Sequence, residues 1–521
     1  MRTSSAPTLG DLDEAARYAA FDRLQKRLPA VWDGMQTGDP LESVVVVPSL
    51  TVDRVVAASP GMTQAMEERF LFMLLLLRQP RLRMVYVTSV AVDPAIIEYY
   101  LSLLPGVIPS HARSRLHLVS VGDARPGALT EKLLARPRVL TVIRSLIPDP
   151  HRCHLVPYNT TALERDLAIE LGIPMYAADP RLFPLGTKSG CREVFTEAGV
   201  RFPAGAEHLA TPGEVVAALS ALRVRRPAAR SAMVKLNEGV SGSGNATVDL
   251  TGLPTPGSPA EAAALARRVS EMSLEDPAVD VDAFLAKLAQ RRGIVEERIL
   301  GEEVRSPSVQ LRVTPHGILE ILSTHDQVLG GPSGQSYLGA RFPADPAYAP
   351  LITTDAVRIG EVLARKGVMG RFAIDFVVVR NGPVWESHAI EVNLRKGGTT
   401  HPFLTLQFLT DGRYDPQSAR FLTPSGAERH LVATDHLQDP LLHGLRVEDL
   451  FDLVARAGMH YDQSRQRGVV FHMISAITEC GQVGMTAIAE SAAQAQEVYA
   501  EAEQALRAEA QAALAPQPLP W

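Results

Sequence analysis

The sequence predicts a mixed architecture, α/β in its first third and α+β beyond. Three observations predict it. Short apolar, β-branched runs alternate with helical segments from about residue 40 to 180. Strand-like runs dominate from residue 293 onward, with one helix among them. The length of 521 residues leaves room for about three domains. The expected divisions are 1–180, 181–425 with an insertion at about 251–292, and 426–521.

In the first region, residues 43–48 (SVVVVP) read as a buried strand. Residues 63–77 read as a helix with Thr63 as N-cap. Residues 84–90, 116–121 and 153–159 are further strands, and 161–171 is a helix capped by Thr160 or Thr161 and stopped by Gly172. Such alternation predicts a parallel sheet. The second region opens with a helix at 188–198, ended by Gly199, and a short strand at 233–236 leading into a Gly/Ser loop. Residues 253–276, rich in Pro, Ala and Gly, read as an insertion or linker. Strands follow at 294–300, 309–314, 318–323, 372–379 and 384–394, with a helix at 355–366 and an Asn381-Gly382 hairpin turn. The tail carries a helix at 446–457, strand-like runs at 469–477 and 483–488 around Cys480-Gly481-Gln482, and a last helix at about 492–513.

Composition narrows the function. Apolar residues make up 46% and charged residues 21%, as in a folded globular chain. The net charge of −6 disfavours a nucleic-acid surface. Cys153, Cys191 and Cys480 lie far apart, so neither a disulfide framework nor a cysteine zinc site is expected. The first residues lack the apolar stretch of a secretory signal. The longest apolar run, Phe70–Leu77, is eight residues, against about 20 for a membrane span. A cytoplasmic location without membrane or nucleic-acid partners is expected. Arginine outnumbers lysine 45 to 7, so each lysine deserves a question. Lys26, Lys132, Lys287 and Lys366 sit in helix-like polar contexts and read as solvated; Lys188, Lys235 and Lys396 do not.

Four segments could carry chemistry. The first is the hairpin 372–395, with Asp375 on one strand and Glu391 and Asn393, two apart, on one face of the other. Two carboxylates and an amide oxygen make a hard-oxygen set suited to Mg²⁺; the alternative is a solvated strand face. Glu386 and His388 have the opposite parity and point away unless a bulge intervenes. The second is Lys235 followed by a loop with Gly239, Ser241, Gly242, Ser243 and Gly244, whose backbone N–H groups could approach a phosphate. It is not a Walker A loop, because the lysine precedes the glycines. The third is the acidic strand Glu296-Glu297-Arg298-Ile299, with Glu303 beyond a Gly turn. Its carboxylates could meet ribose or an adenine amino group, or simply face solvent. The fourth is Arg395-Lys396-Gly397-Gly398-Thr399-Thr400-His401, two cations directly after Asn393 and suited to a transferring phosphoryl group.

The order of Lys188, Lys235 with its Gly/Ser loop, the Glu-Glu strand and Asp…Glu-x-Asn resembles the ATP-grasp superfamily over about residues 181–410. That resemblance implies a Rossmann-like domain before a two-subdomain core that holds ATP. It implies that Lys188 and Lys235 contact ATP, and that Ser241–Gly244 folds over the phosphates. Glu296 would accept from the adenine amino group. Glu297 and Ile299 would offer backbone groups, Glu303 would hold the ribose, and Asp375, Glu391 and Asn393 would bind Mg²⁺. Arg395 and Lys396 would serve the reacting phosphoryl group. Some ligases of the superfamily carry an arginine two residues before the first metal carboxylate; here it is Ala373, with Arg371 and Arg312 as possible substitutes.

The run 391–402 (EVNLRKGGTTHP) with 468–473 (GVVFHM) is similar to the pheganomycin-type peptide ligases of actinobacteria. The resemblance implies a small C-terminal α+β domain and amide formation between a small-molecule carboxylate and an amine or peptide, through an acyl phosphate with release of ADP and phosphate. A homodimer is one assembly compatible with it. The competing readings are a kinase of the same superfamily and a nucleotide-binding module without chemistry.

Overall fold

The computed structural model describes residues 9–37, 42–51, 60–239, 244–276, 279–331, 334 and 336–514. Its first layer is a parallel sheet of β1 (Ser43–Val47), β2 (Arg83–Thr88), β3 (Leu116–Ser120) and β4 (Cys153–Pro157), in the order β3-β2-β1-β4. β1 and β4 are buried along their whole length, as continuous apolar runs in a helix-covered parallel sheet should be. The helix Ala162–Leu171 begins at Thr161, whose hydroxyl and Glu164 form a reciprocal cap, and ends at Gly172 with φ of 68°.

The predicted helix at 63–77 is two elements. An α-helix spans Pro60–Glu68, so Thr63 lies within it and is not its cap. A 3₁₀ segment, Arg69–Arg78, then carries the apolar run. Phe70 through Leu75 are buried with no polar side, so tertiary packing rather than an amphipathic pattern fixes this segment. Lys132 also departs from expectation. It is buried, and its amine donates to Ser89 Oγ at 2.9 Å and the Asp123 carbonyl at 3.1 Å.

The next unit is an antiparallel sheet of β5 (Gly205–Leu209), β6 (Ser231–Leu236), β7 (Asn245–Asp249), β8 (Ser273–Leu274) and β9 (Gly293–Glu297), in the order β5-β9-β6-β7-β8. The stretch expected as an insertion or linker is folded into this unit. Helix Pro259–Ser270 buries Leu265 and Val269 and helix Val281–Arg291 buries Phe284 and Leu288, all in the core with Val234 and Val295. Composition misled here because alanine is also a strong helix former.

The third sheet has nine strands. β10 (Glu303–Arg305), β11 (Pro307–Val313), β12 (Leu319–Gly330), β13 (Ser336–Phe342), β14 (Gly370–Asn381) and β15 (Val384–Asn393) form its first part. The β14–β15 turn is Gly382-Pro383, one residue later than expected, because Asn381 already pairs with Val384. After a small ribbon of β16 (Arg413–Asp415) and β17 (Arg420–Leu422), the chain rejoins the large sheet through β18 (His430–Gln438), β19 (Gly468–His472) and β20 (Gln482–Ala489). β13 pairs with β18, so the tail strands extend the core sheet. The two tail strands are separated by a short helix, Ala476–Cys480, where the sequence suggested a turn. The N-terminal layer is fastened to this tail. Tyr100 donates to the Phe471 carbonyl at 3.0 Å, and the Phe471 amide donates to the Tyr99 hydroxyl at 2.9 Å. Among the described residues no helix is long and apolar enough to cross a membrane.

Candidate functional site

The three units enclose a cavity of about 640 Å³. Each wall comes from a different part of the chain. Lys188, Lys235, Glu296 and Ile299 come from the small antiparallel unit and its entry helix, Asp375, Glu391, Asn393 and Arg395 from the β14–β15 hairpin, and Arg69 and Tyr158 from the N-terminal layer.

Lys188 opens the helix Lys188–Ala198, whose N-cap Thr187 accepts from the Gly190 amide. Asn237, just after β6, accepts from the Ser189 amide at 3.0 Å and hydroxyl at 2.7 Å, which ties that helix start to the glycine loop. Lys188 Nζ lies 2.5 Å from Glu391 Oε1. Lys235 and Glu296 stand on the neighbouring strands β6 and β9, on one face, with Nζ 2.6 Å from Oε1. Lys188, Lys235 and Glu296 are buried and Glu391 is partly exposed, so the lysines are held by their carboxylate partners rather than by water. Beyond Lys235, Gly239 and Gly244 line the cavity; Ser241, Gly242 and Ser243 lie outside the described residues.

Asp375 and Glu391 face each other directly across β14 and β15, and Asn393 opposes Ala373. The Asn393 side-chain amide donates to Asp375 Oδ2 at 2.9 Å and Gln327 donates to Oδ1 at 2.8 Å. Burial and the neighbouring Glu391 push the Asp375 carboxyl up to about 6. Burial raises Glu391 too, but Lys188 outweighs it and holds the carboxyl below its usual range. Two facing carboxylates with an amide oxygen beside them fit a hard divalent cation.

A bulge intervenes at Ile390: Asp375 opposes Glu391 while Phe376 opposes Ala389. His388 and Glu386 therefore return to the same face as Asp375, yet neither lines the cavity. Glu386 pairs with Arg201 at 3.1 Å. Arg395 lines the cavity and donates to the Tyr158 hydroxyl at 3.3 Å and the Lys396 carbonyl at 3.1 Å.

Several expected residues sit elsewhere or are engaged differently. Lys396 turns away from the cavity, buried, with its amine donating to the Pro157 carbonyl at 2.6 Å, and burial followed by Arg371 lowers it to about 7. Glu303 stands outside the lining, paired at 2.5 Å with both Arg305 and Arg380. Glu297 does line the cavity, but its carboxylate accepts from the Ala204 amide and Arg226 at 2.9 Å each, and its own amide donates to the Ala204 carbonyl. Arg312 pairs with Glu320 and stacks 5.1 Å from Trp32, and Arg371 faces Tyr176; neither lines the cavity. Lys287, read as a solvated lysine, lines a second cavity of about 300 Å³ that shares Glu391, Asn393 and Arg395 with the first.

No sequence pattern marks the polar cluster around Asp435. Asp435 lines the cavity, with Arg69 Nη1 at 2.7 Å, His472 Nε2 at 2.8 Å and His401 Nε2 at 3.1 Å. Its partners lie far apart in the chain, so only the sheet brings them together. His401 and His472 do fall within the two runs 391–402 and 468–473 that stood out in the sequence.

Comparison with known proteins agrees with this geometry. A family model described as "IQCH-like, ATP-grasp" matches residues 182–271 and 275–417, and a "PGM1 C-terminal domain" model matches 449–502. L-propargylglycine--L-glutamate ligase of Streptantibioticus cattleyicolor is 31% identical over 451 residues, which cover 84% of this chain and 88% of that protein. The chain belongs to the ATP-grasp ligase family. IQ motif-containing protein H of Danio rerio is 23% identical over 76% of the chain, which spans 42% of that longer protein. Among solved structures, the ADP complex of N5-carboxyaminoimidazole ribonucleotide synthetase aligns with a TM-score of 0.50 at 10% identity, covering 90% of this chain and 98% of that one. Rhizobium etli pyruvate carboxylase aligns with a TM-score of 0.51 at 16% identity, covering 89% of this chain and 37% of that one. At such identities the likeness is one of fold.

Proposed function

We propose that this ATP-grasp ligase joins a small-molecule carboxylate to the amine of an amino acid or peptide, through an acyl phosphate, with release of ADP and phosphate. One observation carries the reading. The cations Lys188, Lys235 and Arg395 and the oxygen set Asp375, Glu391 and Asn393 converge on a single cavity, which continues past Arg395 into a lobe built by the N-terminal layer and the tail strands. A nucleotide would occupy the half with the lysines and the oxygen set, and the organic substrates the other. The 31% identical relative, named for joining two amino acids, supports the same class of reaction.

Lys188 and Lys235 are the residues that would exchange their carboxylate partners for phosphate oxygens. Glu296, released from Lys235, would accept from an adenine amino group, and Ile299 lies along the same edge. Asp375, Glu391 and Asn393 would hold Mg²⁺. Bound there, Mg²⁺ would supply charge that draws the phosphate oxygens together. Arg395 stands two residues beyond Asn393, and its guanidinium would neutralise charge on the phosphoryl group moving to the carboxylate. The buried walls keep water from the activated carboxylate. A cytoplasmic setting, where thiols stay reduced, suits Cys153, Cys191 and Cys480, none of which is bonded to another.

The test is product analysis by mass spectrometry, with ATP, Mg²⁺ and paired carboxylate and amine libraries. The reading expects a product equal to both substrates less one water, formed only with ATP. ATP turnover that phosphorylates a single substrate, whatever amine is present, would overturn it in favour of a kinase.

A further inference from the structure

Behind the far wall of the cavity three ligand-type atoms converge that the phosphate and Mg²⁺ chemistry does not use. Asp435 Oδ1 lies 2.8 Å from His472 Nε2 and 3.1 Å from His401 Nε2, and the two imidazole nitrogens lie 3.0 Å from each other. All three side chains are buried. The ring centroids of His401 and His472 are 4.3 Å apart, so the nitrogens are their nearest parts and the rings diverge from a common point. Ligand atoms bound to one ion at about 2.0–2.2 Å stand roughly 3 Å from one another, which is the spacing of this triangle.

Hydrogen bonds alone serve the triangle poorly. Both rings would have to carry their proton on Nε2, and both would have to donate, side by side, to one carboxylate oxygen. A single dication in place of the two protons satisfies both nitrogen lone pairs and the oxygen together.

The surroundings hold the three atoms where they are. β18 carries a bulge between Thr434 and Leu437 in its pairing with β20, so Asp435 leaves the regular ladder. The Gln482 side-chain amide donates to the Asp435 carbonyl at 2.6 Å. Arg69 takes up Asp435 Oδ2 at 2.7 Å, which leaves Oδ1 turned to the imidazoles. A carboxylate ligand steadied in this way by an outer hydrogen bond is usual in metal sites. His472 ends β19 opposite Gly484 of β20, where a Cβ would collide with its ring, so glycine makes room for the imidazole. His401 stands in the first turn of the helix Thr400–Thr410.

The structure assigns to His401, Asp435 and His472 a binding site for a first-row dication of the Zn²⁺ kind. Two imidazoles and one carboxylate suit such an ion, whereas Mg²⁺ takes oxygen ligands. The site shares no residue with Asp375, Glu391 and Asn393, so it is a second metal site, and it does not depend on the ligase reading. His401 and His472 do not line the cavity, so the ion sits behind the wall that Asp435 forms. Its ligands come from the helix that follows Arg395 and from two tail strands, so the ion fastens the tail to the turn carrying Arg395.

The experiment strips the full-length protein with EDTA, returns it to buffer with excess Mg²⁺, and titrates it calorimetrically with ZnCl₂. One Zn²⁺ per chain is expected, with a higher melting temperature once it is bound. X-ray absorption of the Zn²⁺-loaded native chain should show two imidazoles and oxygen at about 2.0–2.2 Å. His472→Ala should weaken Zn²⁺ binding at least about tenfold, while Glu391→Gln leaves it unchanged. The X-ray measurement is made on the native chain, so it decides the matter even if His472→Ala fails to fold. No stoichiometric Zn²⁺ binding in excess Mg²⁺, a spectrum without two imidazoles, or a loss in Glu391→Gln equal to that in His472→Ala overturns the assignment.

Discussion

Lys188 Nζ lies 2.5 Å from Glu391 Oε1, so the first cation of an entry helix rests on a carboxylate of the β14–β15 hairpin. The contact runs between segments that the sequence keeps about 200 positions apart. It is reinforced one turn along the helix, where the Val392 amide donates to Cys191 Sγ at 3.1 Å. Cation and carboxylate satisfy each other here, and each is chemically suited to trade its partner, Lys188 for a phosphate oxygen and Glu391 for a metal ion.

Glu391→Gln keeps the shape and removes the charge. It should lower turnover by at least about 10²-fold, the scale on which single transition-state stabilisers act, and lower the melting temperature without abolishing the folded state, because Lys188 loses its charge partner. Steady-state kinetics with a melting curve checks this. Near-native turnover in the folded variant would remove Glu391 from the metal set.

Lys235→Ala should weaken ATP binding at least tenfold, whereas Lys366→Ala should not. Lys366 ends a helix and pairs with Glu197 at 2.8 Å on the surface, so it controls for generic loss of charge. Calorimetric titration of ATP into both variants separates the effects. Equal affinities would argue against Lys235 as a phosphate contact.

Two buried imidazoles set a pH dependence. Burial, followed by Lys396, lowers His154 to about 4, and burial lowers His325 to about 3. The unfolded chain takes up these protons near pH 6.5, while the folded chain resists until far lower, so stability should fall as pH drops from 6.5 toward 4. Each group contributes up to roughly 3 kcal/mol over that window. Urea unfolding of His325→Gln across the same range should show a visibly shallower slope; an unchanged slope would contradict the assignment.

The seam between the N-terminal layer and the core depends on Gly370. It has φ of 89°, and a Cβ there would lie 2.9 Å from the Ala177 Cα. Gly370→Ala combines backbone strain with a clash, so a loss of about 1–3 kcal/mol is expected from urea midpoints. A neutral effect would mean that the seam yields more easily than the packing suggests.

Much of the site was legible because its residues lie at short spacings within strands. Glu391 and Asn393 share a face by the two-residue strand period, and Lys188 heads a helix closed by Gly199. The stop at Gly172 was equally plain, and of Thr160 and Thr161 the structure selects Thr161 as the cap. What stayed hidden depends on register or on distance along the chain. The bulge at Ile390 reverses the parity of His388 and Glu386, and no local pattern marks it. Lys396 looked like a second active-site cation, but the turn after Asn393 carries it into the N-terminal seam. Arg69 and Asp435 are 366 residues apart, and only the joining of β18 to the core sheet unites them.

The central claim is that the carboxylate is activated as an acyl phosphate beside Arg395. The most direct measurement incubates the enzyme with ATP, Mg²⁺, the carboxylate substrate and hydroxylamine, with the amine withheld, and then quantifies nucleotides and hydroxamate. The account predicts ADP, phosphate and hydroxamate in equal amounts, all suppressed in Arg395→Ala. Formation of AMP and pyrophosphate in step with the product would contradict it.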